Sequence, residues 1–506
     1  MNRSLHLAVL LVALTALSAC QKEITCPAGE LVCDGACVDP TVDAANCGAC
    51  GVTCDTRATC QRGACDCAPG LSACGASCVD LASDPGHCGS CTIACFGSVC
   101  SSGSGPAICS VTCGAGETNC GGACIHLGQD RYHCGACGTA CAVGESCVTG
   151  ACTSVQVACF STNDVRTIAP DLATRGPTRK AGVGPIALAA LGAEVWAAAS
   201  ISGSLVRLPL DPSAASAEYL LHGSDFEYVT THAGRVLLSN AGAGTIVVVD
   251  PVRGAVLEEV PVGISASENA KGIAFAAAPG GGEKAYVSLY GDSRSGDPKV
   301  GQRVAVLDAA GLATCGVAGS PLPCLGPPAY LDVSGGADAP GLAFPGRSVT
   351  VAGKVYVVLA NLKLGGYGYF TDPAGPGKLA IIEPADGSVS YLSLGAGCGN
   401  PGGLAVHGTS IWVACSAYGA SGVVAVDLSG ASPVVGEAHP VPLSAPGNVA
   451  FCGNRGFVTD QYSGDVYPFD AMTFADSPTA AVTVCPVSAG KGGYAWAADV
   501  ICSSHP

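Results

Sequence analysis

Twenty-four of the 33 cysteines in this 506-residue chain lie between residues 26 and 152, in three sets of eight. The sets occupy 26–65, 67–109 and 113–152. In each, the first six cysteines are separated by six, three, nine, two and three residues. From 21 to 154 the chain has only two aromatic residues, Phe96 and Tyr132. So little apolar bulk cannot offset the entropy of ordering the backbone, so the region must be held by covalent staples. An even number per set lets each repeat close on itself, although spacing does not choose among the pairings. The pairs Cys47/Cys50, Cys88/Cys91 and Cys134/Cys137 have zinc-ligand spacing. Cysteine usage this dense belongs to an oxidising compartment, where thiolates are lost to disulfides, so disulfides are expected and no metal is assigned. Asp39/Asp43 and Asp80/Asp84 are read as turn and cap residues in preference to calcium ligands.

The start of the chain points to the same compartment. Met1-Asn2-Arg3 is basic, and Leu5 to Leu17 is an apolar run too short to span a bilayer comfortably. It ends in Leu17-Ser18-Ala19-Cys20, which resembles the lipobox of bacterial lipoproteins. The resemblance implies a signal peptide over 1–19, cleavage before Cys20, acylation of Cys20 and a lipidated linker over 20–25. The membrane would then be a partner through this anchor. Gln21 in place of an aspartate favours the outer membrane of the bacterial cell envelope.

The repeats themselves read Cys33-Asp-Gly-Ala-Cys37-Val-Asp with Asn46-Cys47-Gly-Ala-Cys50-Gly. The second and third read Cys74-Gly-Ala-Ser-Cys78-Val-Asp with His87-Cys88-Gly-Ser-Cys91, and Cys120-Gly-Gly-Ala-Cys124-Ile-His with His133-Cys134-Gly-Ala-Cys137-Gly. This pattern resembles the Stig1-type cysteine-rich repeat. The second repeat departs from it at Thr92 and in the longer tail between Cys100 and Cys109. The resemblance implies a secreted interaction module with little regular secondary structure.

Residues 155–506 read differently. Apolar runs of strand length recur at about 40–45 residues, with some longer intervals, and helical periodicity is absent. Val195-Trp-Ala-Ala-Ala199, Val236-Leu-Leu-Ser-Asn240 and Val355-Tyr-Val-Val-Leu359 are aligned examples. Each is followed by a Gly-rich turn and a second strand closed by an acid: Asp211, Asp250, Asp308, Glu383, Asp427 or Asp470. Inner strands are placed to open near Ile186, Val229, Gly272, Gly341, Gly403 and Asn448. The fold class is therefore all-β, a seven-bladed β-propeller. Six blades are continuous. The seventh joins the termini, with Gly493–Ala498 as inner strand and Gln156–Cys159 and Asp164–Ile168 beside it, which removes exposed sheet edges. Cys159–Cys502, Cys315–Cys324 and Cys398–Cys415 are the candidate disulfides, with Cys452–Cys485 as a weaker one. Trp196, Trp412 and Trp496 are assigned to the core. Val236 to Phe275 resembles the YVTN repeat of bacterial surface propellers, a family that includes binding scaffolds and lactonases.

A net charge of −16 excludes the basic face that nucleic acid requires. The propeller lacks HExxH, GxSxG and P-loop motifs, and its histidines are scattered, so no catalytic residue and no cofactor are assigned. Glu268, Asn269 and Asn400 precede inner strands, where metal-dependent lactonase propellers carry Glu and Asn; this supports a hydrolase alternative. Alternating strand direction puts the blade-to-blade links and the second-to-third-strand loops at one end. Those loops carry Tyr290, Tyr367, Tyr369, Phe370, Tyr418 and Tyr462, the candidate ligand-binding residues for an extracellular protein or carbohydrate. The expected function is binding at the cell envelope; a structural envelope protein is the third reading.

Overall fold

The computed structural model describes residues 26–505 except 28, 69, 76, 103–105, 173, 212, 222, 224, 264–267, 292–299, 318–322, 364–372, 418–419, 475–479 and 487–494. Among the described residues the secondary structure is strand, with two short 3-10 turns at Phe160–Thr162 and Ser334–Gly336. The chain divides into two compact units, 1–127 and 128–506.

The first unit is a series of short hairpins, such as Leu31–Cys33 with Ala36–Val38 and Ser72–Cys74 with Ser77–Val79. The first of these turns at Asp34-Gly35, both at positive φ, the tight hairpin geometry that Asp-Gly favours. Disulfides do what a core would do elsewhere. In the first repeat they are Cys26–Cys37, Cys33–Cys50, Cys47–Cys60 and Cys54–Cys65. The second repeat has the same order: Cys67–Cys78, Cys74–Cys91, Cys88–Cys100 and Cys95–Cys109. The two members of each CxxC thus bond to different partners. The aspartates shape the turns: Asp39 and Asp43 accept backbone N–H groups of Thr41 and Ala45, and Asp80 and Asp84 those of Ala82 and Gly86.

In the second unit, seven sheets carry the propeller among the described residues. Blades one to three have inner strands Pro185–Leu191, Phe226–His232 and Ala270–Ala277. Blades four to six have Pro345–Val351, Pro401–His407 and Pro446–Cys452. In each, the second, third and fourth strands follow antiparallel. Each inner strand borders those of the two neighbouring blades, and the ring closes through the C-terminal strand Ala497–His505. Apolar side chains fill the spaces between blades. Leu237, Ile246 and Val248 of blade two pack against Ile273, Val287 and Leu289 of blade three. Trp196 and Trp412 are buried and Trp496 is half-buried against Phe160.

The acids that close the third strands now have a physical role. Asp211, Asp250, Asp308, Asp427 and Asp470 accept the backbone N–H two residues onward at 2.8–3.0 Å, which turns the chain into the fourth strand. Hydrogen bonds from Ser213, Ser429 and Met472 hold the carboxyls of Asp211, Asp427 and Asp470 below their ordinary pKa. In blade four Asp386, not Glu383, takes this role, accepting Ser388 N–H at 2.8 Å.

Three expectations need correction. Blade four's inner strand opens at Pro345; Gly341-Leu342 instead pairs with Leu362-Lys363 at the foot of an insertion. The split blade's inner strand is Ala497–His505, paired with Ala151–Cys159; of the expected Gly493–Ala498, residues 493 and 494 lie outside the described residues and the strand opens only at Ala497. Ala151–Cys159 already contains Cys152, so the part of the third repeat that lies in the second unit runs into the propeller, with Cys134–Cys147 and Cys141–Cys152 beside it. The third correction is Cys159–Cys502. Cys159 lies opposite Ala497 and Cys502 opposite Val155, four register positions away. At about 3.3 Å per residue that is roughly 13 Å, beyond the reach of a disulfide. The bonds formed are Cys159–Cys485 and Cys452–Cys502, so Cys452–Cys485 is replaced as well. Cys315–Cys324 and Cys398–Cys415 are disulfides.

Inner strands approach so closely that some positions exclude a side chain. A Cβ on Gly403 would lie 2.6 Å from both Gly447 O and Asn448 Cα, backbone atoms of the next blade. Gly403→Ala is expected to cost about 1–3 kcal/mol, the range for overpacking. Urea unfolding measures it; a loss under about 0.5 kcal/mol would show that the ring relaxes freely.

Candidate functional site at the channel mouth

All seven inner strands share one irregularity. Close to its first residue each carries a β-bulge against its second strand. A bulge inserts an extra residue and re-aims side chains. The residues so placed include Ile186, Glu227, Lys271, Arg347, Gly402, Asn448 and Ala498. In three blades the strand opens with Pro-Gly, at Pro345-Gly346, Pro401-Gly402 and Pro446-Gly447. Proline needs no ladder N–H at the first residue of a strand. These starts lie at the end that carries the blade-to-blade links, and so form the mouth of the central channel.

Charged and aromatic groups from different blades meet there. Arg347 of blade four reaches across to Asp499 of the split blade, Nη2 to Oδ1 3.2 Å. Its guanidinium carbon lies 5.2 Å from the ring centre of Tyr228 of blade two. Asp499 is fully buried and also accepts Leu188 N–H at 2.8 Å, Val500 N–H at 3.0 Å and the side-chain amide of Asn448. Burial raises the Asp499 pKa even though Arg347, the two backbone donors and Asn448 all pull it down. Lys271 lies 3.5 Å from Glu227 and 4.4 Å from the ring centre of Tyr290. Burial works against the Lys271 charge, but Glu227 and then Tyr290 outweigh it, and its pKa is raised. Burial also raises both tyrosines, against Arg347 for Tyr228 and Lys271 for Tyr290.

The candidate aromatic residues divide. Tyr290 joins this cluster, its N–H bonded to Asn269 O at 2.8 Å and its ring 5.3 Å from Phe344. Tyr462 lies on the second-to-third-strand connection of blade six, its N–H bonded to Asp460 at 2.7 Å. Tyr367, Tyr369, Phe370 and Tyr418 lie outside the described residues. Cys20 does also. Glu227, Tyr228, Lys271, Arg347, Asn448 and Asp499 were not expected from sequence. For Glu227, Lys271, Arg347 and Asp499 the signal was a charge within an apolar strand pattern, in a chain with only 12% charged residues.

Among the described residues, Glu268 and Asn400, two of the residues expected to hold a lactonase's metal, have other partners. Glu268 is fully buried and paired with Arg303, whose Nε lies 2.8 Å from Oε1, so a cation there would sit against a guanidinium. Asn400 hydrogen-bonds Ser416 instead. Among the described residues, groupings of three His, Cys, Asp or Glu ligand atoms occur in the cysteine-rich repeats. Cys47, Cys54 and Cys65 form one such group, and their sulfurs are in disulfides.

The family model of the stigma-specific STIG1-like protein family matches residues 12–68 and 104–155. No curated protein matches the chain. Among solved structures it is similar to virginiamycin B lyase from Staphylococcus aureus, with 13% identity, 56% of this chain and 80% of that one covered, and a TM-score of 0.40. A protein from Lactobacillus plantarum has 12% identity, 70% and 99% coverage and a TM-score of 0.48. AztD from Citrobacter koseri has 12% identity, 70% and 98% coverage and a TM-score of 0.42.

Proposed function

We propose that this protein is an exported bacterial lipoprotein, anchored in the envelope through Cys20, whose propeller binds a partner at its channel mouth. The observation that carries binding over hydrolysis is the mouth itself. Bulges on separate blades bring Glu227, Lys271, Arg347 and Tyr228 to one place, while the acid a lactonase would need, Glu268, is tied to Arg303. No nucleophile paired with a base is among these groups. Rigid scaffolds presenting polar and aromatic groups at a concave mouth are the usual setting for recognition. The Leu17-Ser18-Ala19-Cys20 run and the disulfide-held repeats support export and anchoring. The cysteine-rich repeats would serve as a stalk.

One experiment on producing cells tests both parts. Wild-type chain should incorporate labelled palmitate and sediment with membranes, and Cys20→Ser should do neither. A photocrosslinking residue at position 227, at the mouth, should give a discrete adduct on intact cells. The same residue at position 283, at the start of the second strand of blade three and so at the other end of the ring, should not. Retention of Cys20→Ser in membranes without label would remove the anchor; equal adducts from both positions, or none, would remove the mouth as the binding surface.

A further inference from the structure

At the channel mouth several hydrogen-bond donors have no acceptor among the described residues. Asp499 already accepts Leu188 N–H, Val500 N–H and the Asn448 amide, which leaves it little capacity for Arg347. A guanidinium has five N–H donors and an ammonium three. Among the described residues Arg347 makes one ion pair, through Nη2, while its Nε and Nη1 donate to nothing and are not sealed from solvent. Arg303 is the contrast, with Nε and Nη2 both committed to Glu268. Among the described residues Lys271 has one ion pair, with Glu227 at 3.5 Å, and the Tyr290 hydroxyl has no hydrogen-bond partner. The Lys271 and Arg347 charges are close enough to repel one another. Asn448 Oδ1 also lacks a partner but is sealed from solvent; two cations with spare donors and one spare phenol form a cradle for an oxyanion.

We infer that the channel mouth binds a small oxyanion, a carboxylate or a phosphate, held by Lys271, Arg347 and the Tyr290 hydroxyl. This rests on the reading of the mouth as a binding surface and gives it a ligand class. Charge-assisted hydrogen bonds from ammonium and guanidinium groups are the strong kind, and Arg347 can offer a forked pair to either anion. An anion between the two cations also relieves their repulsion.

The test is calorimetric titration of the full oxidised chain at low ionic strength with inorganic phosphate, acetate and, as neutral control, glucose. At least one anion should bind at a single site and glucose should not. Lys271→Gln should weaken the anion at least ~10-fold. Lys271→Arg should restore most of the affinity, which a merely structural role would not predict. Thermal unfolding of both variants in parallel separates loss of the site from loss of the fold. If neither anion binds, or if Lys271→Gln binds the anion as wild type does, the oxyanion assignment is overturned. Binding of glucose that survives Lys271→Gln but is lost in Tyr290→Ala would overturn the assignment while leaving the mouth as the binding surface.

Discussion

Replacing Cys159 and Cys485 together by serine will destabilise the propeller by about 6 kcal/mol, if the bond acts by limiting the unfolded chain. The bond closes a loop with a sequence separation of 326 residues, the longest among the described residues. The same model gives about 2.5 kcal/mol for Cys315–Cys324, whose separation is 9. Cys159 ends the second strand of the split blade, and Cys485 lies just beyond the last strand of blade six. The bond therefore fastens the start of the propeller to its far end, where no peptide bond does so. Urea unfolding of the oxidised double variants measures both losses. Equal losses would sink the loop-entropy account and leave local packing as the source of stability.

This clasp shows where sequence reasoning stopped. That the termini meet in one blade was legible, because six complete units left strand patterns at both ends. Which cysteines meet was not. Pairing depends on register, and the bulge at Ala498 shifts the C-terminal strand against Ala151–Cys159. A shift of one residue reverses which face a side chain occupies. In the repeats the constant intervals marked the units, but the bond order came only from the hairpin geometry. The recurring acids were visible as a strand-end signal. Their purpose, to accept the N–H two residues onward, explains why Asp386 can replace Glu383: the shorter side chain reaches that N–H.

The site was less legible than the fold. Exposed aromatic residues and known catalytic motifs are what a sequence displays, and of the two described candidate tyrosines Tyr290 joins the charged cluster at the mouth. Lys271 and Arg347 were overlooked because an inner strand reads as apolar and small, and a bulge is not written in hydrophobic periodicity. Pro-Gly at the start of three inner strands was the available clue. Convergence of blades two, four and seven on Arg347 is a property of ring closure, which no local pattern records.

Asp499→Ala should cost about 3–5 kcal/mol, the cost of breaking a buried ion pair by removing one partner. Three donors lose their acceptor at once: Leu188 N–H, Val500 N–H and the Asn448 amide. Arg347 loses its counterion. Because these groups belong to blades one, four, six and the split blade, the loss should loosen the ring as a whole. The pH dependence gives an independent check. The folded-state pKa of Asp499 is raised, and the unfolded carboxyl titrates near ~3.9. Between that value and the folded pKa, the native state holds a proton that the unfolded chain has released. By linkage, this group's contribution to stability falls as pH rises through that window and is recovered on acidification. The difference in unfolding free energy between wild type and Asp499→Ala should therefore shrink as pH rises across the window and level off above it. A difference that grows with pH instead would mean that Arg347 outweighs burial, and that Asp499 is an ion-paired carboxylate of lowered pKa.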